Sequence, residues 1–278
     1  MKKIYYPYYS EFKCIGGECP LSCCCFRINI FRFEEKKFGT FPQWCDIDGR
    51  GTDIREFLNK DETGYYMKSL PDGCCIFRDC DKMCSIQKRY GMDALPAICR
   101  TYPRIISRFK DRIEFALEPC CPMAARSAEH WDIRSVISDD VREDENPSWF
   151  RRDKALSILA DAGIGFSDCL RQLSDLYGCG REIPETDLTP FLYDFLRKQT
   201  ALMIWGYILY YDGIKEVGNI MEFIIDIVLA FIKQASHRSY SRWGDACDDY
   251  SRFLLEYSTK RNFIQDYEDR FNDRSDYQ

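Results

Sequence analysis

A mainly α-helical fold is predicted, with a loop-rich, cysteine-dense N-terminal domain packed on a C-terminal α-helical bundle. Three observations predict it. Of the 16 cysteines, 13 fall within the first 121 residues. Composition changes near residue 130: before it the text is broken by Gly, Pro and Cys, and after it apolar residues recur at helical spacing. Charge divides the same way, with 21 Lys+Arg against 18 Asp+Glu in residues 1–130 and 18 against 27 in residues 131–278. Two domains, 1–130 and 131–278, are therefore expected. At 278 residues the chain can bury apolar cores without cross-links, so the thiols are free for another purpose.

In the first domain the periodic runs are short: FRFEEKKF (31–38), DIREFLNK (53–60) and the alternating, strand-like RIEFALE (112–118). SDDVREDENPS (138–148) reads as a charged linker whose Ser148 caps a helix through WFRRDKALSILADAG, ended by Gly163. FSDCLRQLSDLYG (166–178) is a second helix, stopped by Gly178. The Gly- and Pro-marked loop CGREIPETDLTP then leads into a long helix from about Phe191 to Tyr211. In residues 220–234, Ile220, Phe223, Ile224, Ile227 and Phe231 share one helical face. A last helix near 246–270 fades into the polar tail RFNDRSDYQ.

The net charge of −6 argues against a nucleic-acid partner. The most apolar windows, residues 199–211 and 227–232, fall short of the roughly 20 residues a bilayer demands, so no membrane span is expected. After Lys2 and Lys3 the opening MKKIYYPYYS has no apolar signal segment, which points to the cytoplasm. Thiols are kept reduced there, so metal ligation is expected in place of a disulfide framework. CIGGECPLSCCC spaces Cys14-x4-Cys19-x3-Cys23-Cys24, close enough for one loop to bring several sulfurs to one centre. Adjacent side chains tend to point to different sides of the backbone, so Cys23 and Cys24 are expected to serve different jobs. The paired C-x2-C spacing typical of zinc does not occur in the first half, which favours an iron–sulfur assembly with zinc as the alternative metal. A purely architectural metal site fits the same spacing.

FKCIGGECPLSCC, CIFRDCDKMCSIQKRYGMDALPAICRTYPR (75–104) and LEPCCPMAAR (117–126) stand in an order that resembles the flagellin lysine-N-methylase family and the wider cysteine-cluster group of iron or zinc chelators behind it. WFRRDKALSIL also resembles family text, so the likeness runs over about residues 8–178. Taken one by one, it places the family's cysteines on Cys14, Cys19, Cys23, Cys24, Cys75, Cys84, Cys99 and Cys121. The resemblance implies methyl transfer from S-adenosylmethionine to lysine amines of flagellin, with a 4Fe-4S cluster. Departures accompany it. Cys25-Phe26 stands where members usually show Gly-Trp, and Cys25, Cys45, Cys74, Cys80 and Cys120 look like additions. The radical-type C-x3-C-x2-C is absent, since Phe26 and Gln87 occupy the positions a third cysteine needs.

A Rossmann cofactor loop is also absent: in LYGCGREI (176–183) Gly178 and Gly180 follow a helix and read as stop and turn. S-adenosylmethionine is therefore expected beside the cluster, with Arg100, Tyr102 and Arg104 as its contacts. A guanidinium grips a carboxylate with two parallel hydrogen bonds, and aromatic faces attract a sulfonium. A lysine ammonium, with a pKa of about 10.4, must lose a proton before it attacks. Tyr102, Asp79 and Asp81 are candidate bases, and no signal in the sequence separates them. His130 and His237 read as surface or core residues. Two other readings fit the same thiols: a non-enzymatic iron or zinc chelator or maturation factor, and a redox sensor built on Cys23-Cys24-Cys25 and Cys74-Cys75.

Overall fold

The computed structural model describes residues 1–137, 147–209 and 217–260. In chain order the strands are β1 (Lys2–Tyr5), β2 (Asn29–Ile30), β3 (Leu58–Asp61), β4 (Gly64–Met67), β5 (Arg104–Arg108) and β6 (Arg112–Leu117). The helices are α1 (Arg32–Glu35), α2 (Pro42–Cys45), α3 (Ser85–Tyr90), α4 (Ala97–Thr101), α5 (Pro122–Ser127), α6 (Pro147–Ala160), α7 (Phe166–Tyr177), α8 (Pro190–Tyr207), α9 (Val217–Ala235) and α10 (Trp243–Lys260). The fold is mainly α. Its contacts form two compact units, Cys14–Tyr102 in one and Met1–Lys13 with Pro103–Leu254 in the other.

The Cys14–Tyr102 unit is built on a small antiparallel sheet of order β2-β4-β3. Ile28, Ile30, Trp44, Ile54, Met67, Phe77 and Ile86 form its core. Trp44 is fully buried, and its indole N–H donates to the Ala94 carbonyl at 2.8 Å, so the ring's polar edge costs little. FRFEEKKF makes only one helical turn. Buried Glu34 folds back on it, accepting from the Phe31 amide at 3.4 Å and from the Ala97 amide at 2.9 Å. DIREFLNK divides into a 3-10 turn (Ile54–Phe57), which Asp53 caps through the Arg55 amide, followed by β3.

The second unit carries a sheet of order β1-β6-β5, with β1 parallel to β6 and β5 antiparallel. RIEFALE is the strand its alternation predicts. It is also the central strand, which explains why five of its six residues in β6 are buried. Helix α7 ends at Gly178 in the left-handed conformation at φ +67°, as expected of a glycine stop. Pro190 opens α8 and Thr189 caps it, its hydroxyl accepting the Leu192 amide at 3.2 Å. Gly206 lets α8 lie against the sheet, because a Cβ there would sit 3.3 Å from Ile105 Cδ1. Phe195, Phe231 and Tyr250 meet edge to face within the bundle.

Three expectations change. Helix α6 already begins at Pro147, so Ser148 lies inside it and is not its cap. Helix α8 starts one residue before Phe191, and α10 starts at Trp243. Residues 138–146 of the charged linker, Tyr210 and Tyr211, and the stretch from 261 through the polar tail lie outside the described residues. No helix among the described residues is long and apolar enough to cross a membrane.

A buried ion network supports the second unit. Glu114 accepts from Arg112 Nε at 2.7 Å and from Arg152 Nη1, and Asp153 stands 3.4 Å from Arg152. All four side chains are at most 6% exposed, and the Arg152 guanidinium lies 4.1 Å over the Trp205 ring. Glu114→Ala leaves two guanidiniums without their shared carboxylate. It should lower unfolding stability in urea by about 3–5 kcal/mol; a loss under about 1 kcal/mol would show that the network is dispensable.

Candidate functional site

The opening cysteine loop is shaped by close approach. A Cβ on Gly17 would lie 2.4 Å from the Asp81 carbonyl oxygen, and one on Gly16, at φ +57°, would lie 2.9 Å from Met83 Sδ. Only glycine fits at both positions. The loop carrying Cys14 and Cys19 is thereby laid flat against the turn at residues 79–83. That turn closes through Asp79 N–H to the Met83 carbonyl at 2.9 Å, and Lys82 adopts φ 62°. Lys88 bridges Asp79 at 2.8 Å and Asp81 at 2.6 Å. The ammonium holds Asp81 below its ordinary carboxylate range, which makes it a poor base.

Cys23, Cys24 and Cys25 form one 3-10 turn. From it the Cys24 carbonyl accepts the Cys75 amide at 2.7 Å, joining two segments about fifty residues apart. Cys75 pairs in turn with Ser69, and Cys84 pairs with Arg78 before leading into α3. Cys99 rides on α4, whose first amide is held by Glu34. Cys24, Cys75, Cys84 and Cys99 consequently pack against one apolar core. Electrostatic interactions link these four to one another, and link Cys23 to Cys24, Cys99 and Cys14. Cys19 ends the 3-10 turn Gly16–Glu18, its amide donating to the Gly16 carbonyl at 3.1 Å. Cys121 belongs to the other unit, where it is buried at the start of α5.

One pair of thiols is not free. Cys25 and Cys74 form a disulfide, where reduced thiols are expected throughout. The physical reason is register: once Cys75 bonds to Cys24, residues 25 and 74 become the next facing pair, with Cα atoms 3.9 Å apart. Two of the apparent additions are thus partners of each other.

The thiols divide by environment. A hydrogen bond from Cys23 is the main reason that Cys24 is lowered to about 6, with smaller help from Ser22 and Arg78 and with burial opposing. The same bond raises Cys23. Burial pushes Cys75 up to about 12 and also raises Cys84 and Cys99. One thiolate forms readily, while the deeper sulfurs need a cation to ionise. In donor chemistry this set fits a thiolate-bound metal centre. Among the described residues no three His, Cys, Asp or Glu side chains stand at the spacing that holds an ion.

The three donor-contact candidates have separate surroundings. Arg100 is half-buried on α4 within the field of Glu34, and the Tyr102 ring packs on Phe26 at 5.4 Å. Arg104 opens β5 in the other unit, its guanidinium 5.3 Å from the Phe12 ring and 6.0 Å from that of Tyr9. Two residues of the site escape sequence reasoning: Glu34, which holds α4, and Arg78, which favours the Cys24 thiolate. The Phe31-to-Glu34 spacing of a helix N-terminus is the one signal that could have flagged Glu34.

Comparison with known proteins gives a distant relationship. The chain is 28% identical over 116 residues to "Flagellar biosynthetic protein FliU" of Salmonella muenchen, covering 41% of this chain and 68% of that one. It is 27% identical over 123 residues to proteins named "Lysine-N-methylase" of Salmonella typhimurium and Salmonella choleraesuis. Those matches cover 41% of this chain but only 29% of the methylases' length. No protein-family profile matches the chain, and no solved structure does.

Two outcomes check the site. Gly17→Ala should cost about 1–3 kcal/mol in chemical denaturation, because the loop must lift off the Asp81 carbonyl. In chelator-treated protein, iodoacetamide labelling of Cys24, followed by mass spectrometry, should rise with pH through about 6 and level off by about pH 8. A rate still climbing at pH 9 places the easy thiolate elsewhere.

Proposed function

We propose that this chain is a protein lysine N-methyltransferase that acts on flagellin in the cytoplasm, with S-adenosylmethionine as methyl donor and a cysteine-held iron–sulfur (4Fe-4S) centre. The observation that carries the reading is the partial match to proteins named lysine-N-methylase. The flagellar name of a third relative supports the substrate. Because the match spans 29% of those methylases, substrate and activity are proposals for this chain.

Cys24, Cys75, Cys84 and Cys99 would hold the metal centre, being the sulfurs that share one core. Cys14, Cys19, Cys23 and Cys121 complete the set that the family resemblance assigns. Bound there, the centre would supply a cross-link between cysteine-bearing segments and positive charge for the buried sulfurs. Arg100, Tyr102 and Arg104 are the proposed contacts of the donor's amino-acid end and sulfonium. In the reaction the neutral lysine nitrogen attacks the donor's methyl carbon. The new N–C bond forms as the C–S bond breaks, the electron pair stays on sulfur, and the amine's extra proton passes to a base or to water. Desolvation of the lysine is the protein's main task, since a hydrated ammonium is not a nucleophile.

A second reading has its own support. The Cys25–Cys74 disulfide, beside the readily ionised Cys24, suits a thiol redox sensor.

Anaerobically purified protein, analysed for iron, sulfide and zinc and then incubated with labelled S-adenosylmethionine and flagellin, tests both. Methyl label on flagellin lysines with stoichiometric iron and sulfide supports the first reading; zinc in place of iron leaves the transferase and removes the cluster. Cys99→Ser should lose the metal and much soluble protein, whereas Cys247→Ser, on α10 in the other unit, should keep the metal. Native protein without metal, with its free thiols fully titratable and no methyl transfer, would leave only the sensor.

A further inference from the structure

A cavity of about 310 Å³ opens on the Cys14–Tyr102 unit, and Ile76 and Ser85 in its lining are the chain neighbours of Cys75 and Cys84. Ile47, Phe57 and Phe77 make its apolar wall, and Asp48, Arg50 and Arg89 its polar side. The loop that carries this polar side is held by its own hydrogen bonds. Asp48 accepts the Arg50 amide at 2.9 Å and the Thr52 hydroxyl at 2.8 Å, and the Tyr90 hydroxyl donates to the Asp46 carbonyl. Phe57 and Phe77 meet edge to face at 4.9 Å, which fixes the aromatic wall.

Among the described residues neither the Arg50 nor the Arg89 guanidinium on the cavity's polar side has an acidic partner, so both can meet an anion there. Arg89 is also seated with care. The Nη1 end of its guanidinium sits against Gly49, where a Cβ would fall 1.6 Å from Nη1 and 3.4 Å from Nε, and Gly49 holds φ +74°. A side chain at residue 49 would therefore evict it. Two unpaired guanidiniums over an aromatic wall attract an acid group joined to a flat, apolar ring. Asp48 adds an acceptor for hydroxyl or amine donors, as an acidic residue does for a ribose.

We propose that this cavity binds a small molecule in which an acid group is tethered to a purine-sized ring through a hydroxyl-bearing sugar. Two sources carry that chemistry: adenine nucleotides, and S-adenosylmethionine with its product. The inference stands on the cavity alone and does not need the methyl-transfer reading.

Isothermal titration of the full chain with AMP, S-adenosylmethionine, S-adenosylhomocysteine and adenosine tests it. At least one of the three acid-bearing probes should bind, and adenosine, lacking the acid, should bind at least tenfold more weakly. Arg89→Gln, an exposed position, and Gly49→Ala should each weaken the acid-bearing probe about tenfold, the size expected from losing one charge-assisted hydrogen bond. Arg108→Ala, on β5 in the other unit, should change nothing; circular dichroism checks that each variant is folded. Binding of AMP alone makes this a nucleotide site separate from methyl transfer, and binding of the S-adenosyl compounds alone makes it the donor's site in place of the one proposed at Arg100, Tyr102 and Arg104; both outcomes support the cavity. Adenosine binding as tightly as the acids, binding indifferent to Arg89→Gln, or no binding by any probe at millimolar concentration overturns it. S-adenosylmethionine that binds wild type and Arg89→Gln equally sinks this site but spares the methyltransferase.

Discussion

One backbone hydrogen bond, from the Cys75 amide to the Cys24 carbonyl, organises the cysteine-bearing unit. It crosses about fifty residues of chain, and the loop-closure cost of that span is recovered only because apolar side chains meet on the same side. From this bond follow the facing of Cys25 with Cys74, the approach of Cys24 to Cys75, and the entry of both segments into the core that also takes Cys84 and Cys99. Glu34 does comparable service for α4. A buried carboxylate that accepts two amides fixes the helix that carries Cys99, and burial raises its own pKa while those amides hold it down.

The thiols sit at the edge of an apolar core, not in a polar pocket, and that placement decides their chemistry. Burial disfavours the charged form, so Cys75, Cys84 and Cys99 are poor acids in the absence of a cation. Cys24 escapes because a neighbouring S–H and a guanidinium stabilise its thiolate. Such a gradient, from one ready thiolate to several latent ones, suits a site that is loaded by metal, and it equally suits exchange with the adjoining disulfide. The second unit solves the same problem of buried charge with matched partners, Glu114 between Arg112 and Arg152.

Much of the helical half was legible in the sequence. Apolar spacing located α7 and α9, Gly178 stopped a helix as glycine should, and the Gly- and Pro-marked loop placed the start of α8 within one residue. The strand at RIEFALE was legible too, since period-two alternation is local. Less was legible where a residue's role depends on a distant partner. Nothing near Lys2–Tyr5 announces a parallel pairing with residues 112–115, because parallel strands are joined by long connections that leave no local mark. The short runs at 31–38 and 53–60 were cut to single turns by Glu34 and Asp53, whose side chains compete for backbone amides.

The same divide runs through the site. Cysteine number and spacing, and the helical periodicity of apolar residues after residue 130, are properties of the chain, and they determined that this is a thiol-rich protein with a helical second half. Which sulfurs share a core, which two are joined, and which one ionises were decided only by the tertiary structure. Register across a long loop and the burial of each group are collective outcomes of packing, and no single residue encodes them.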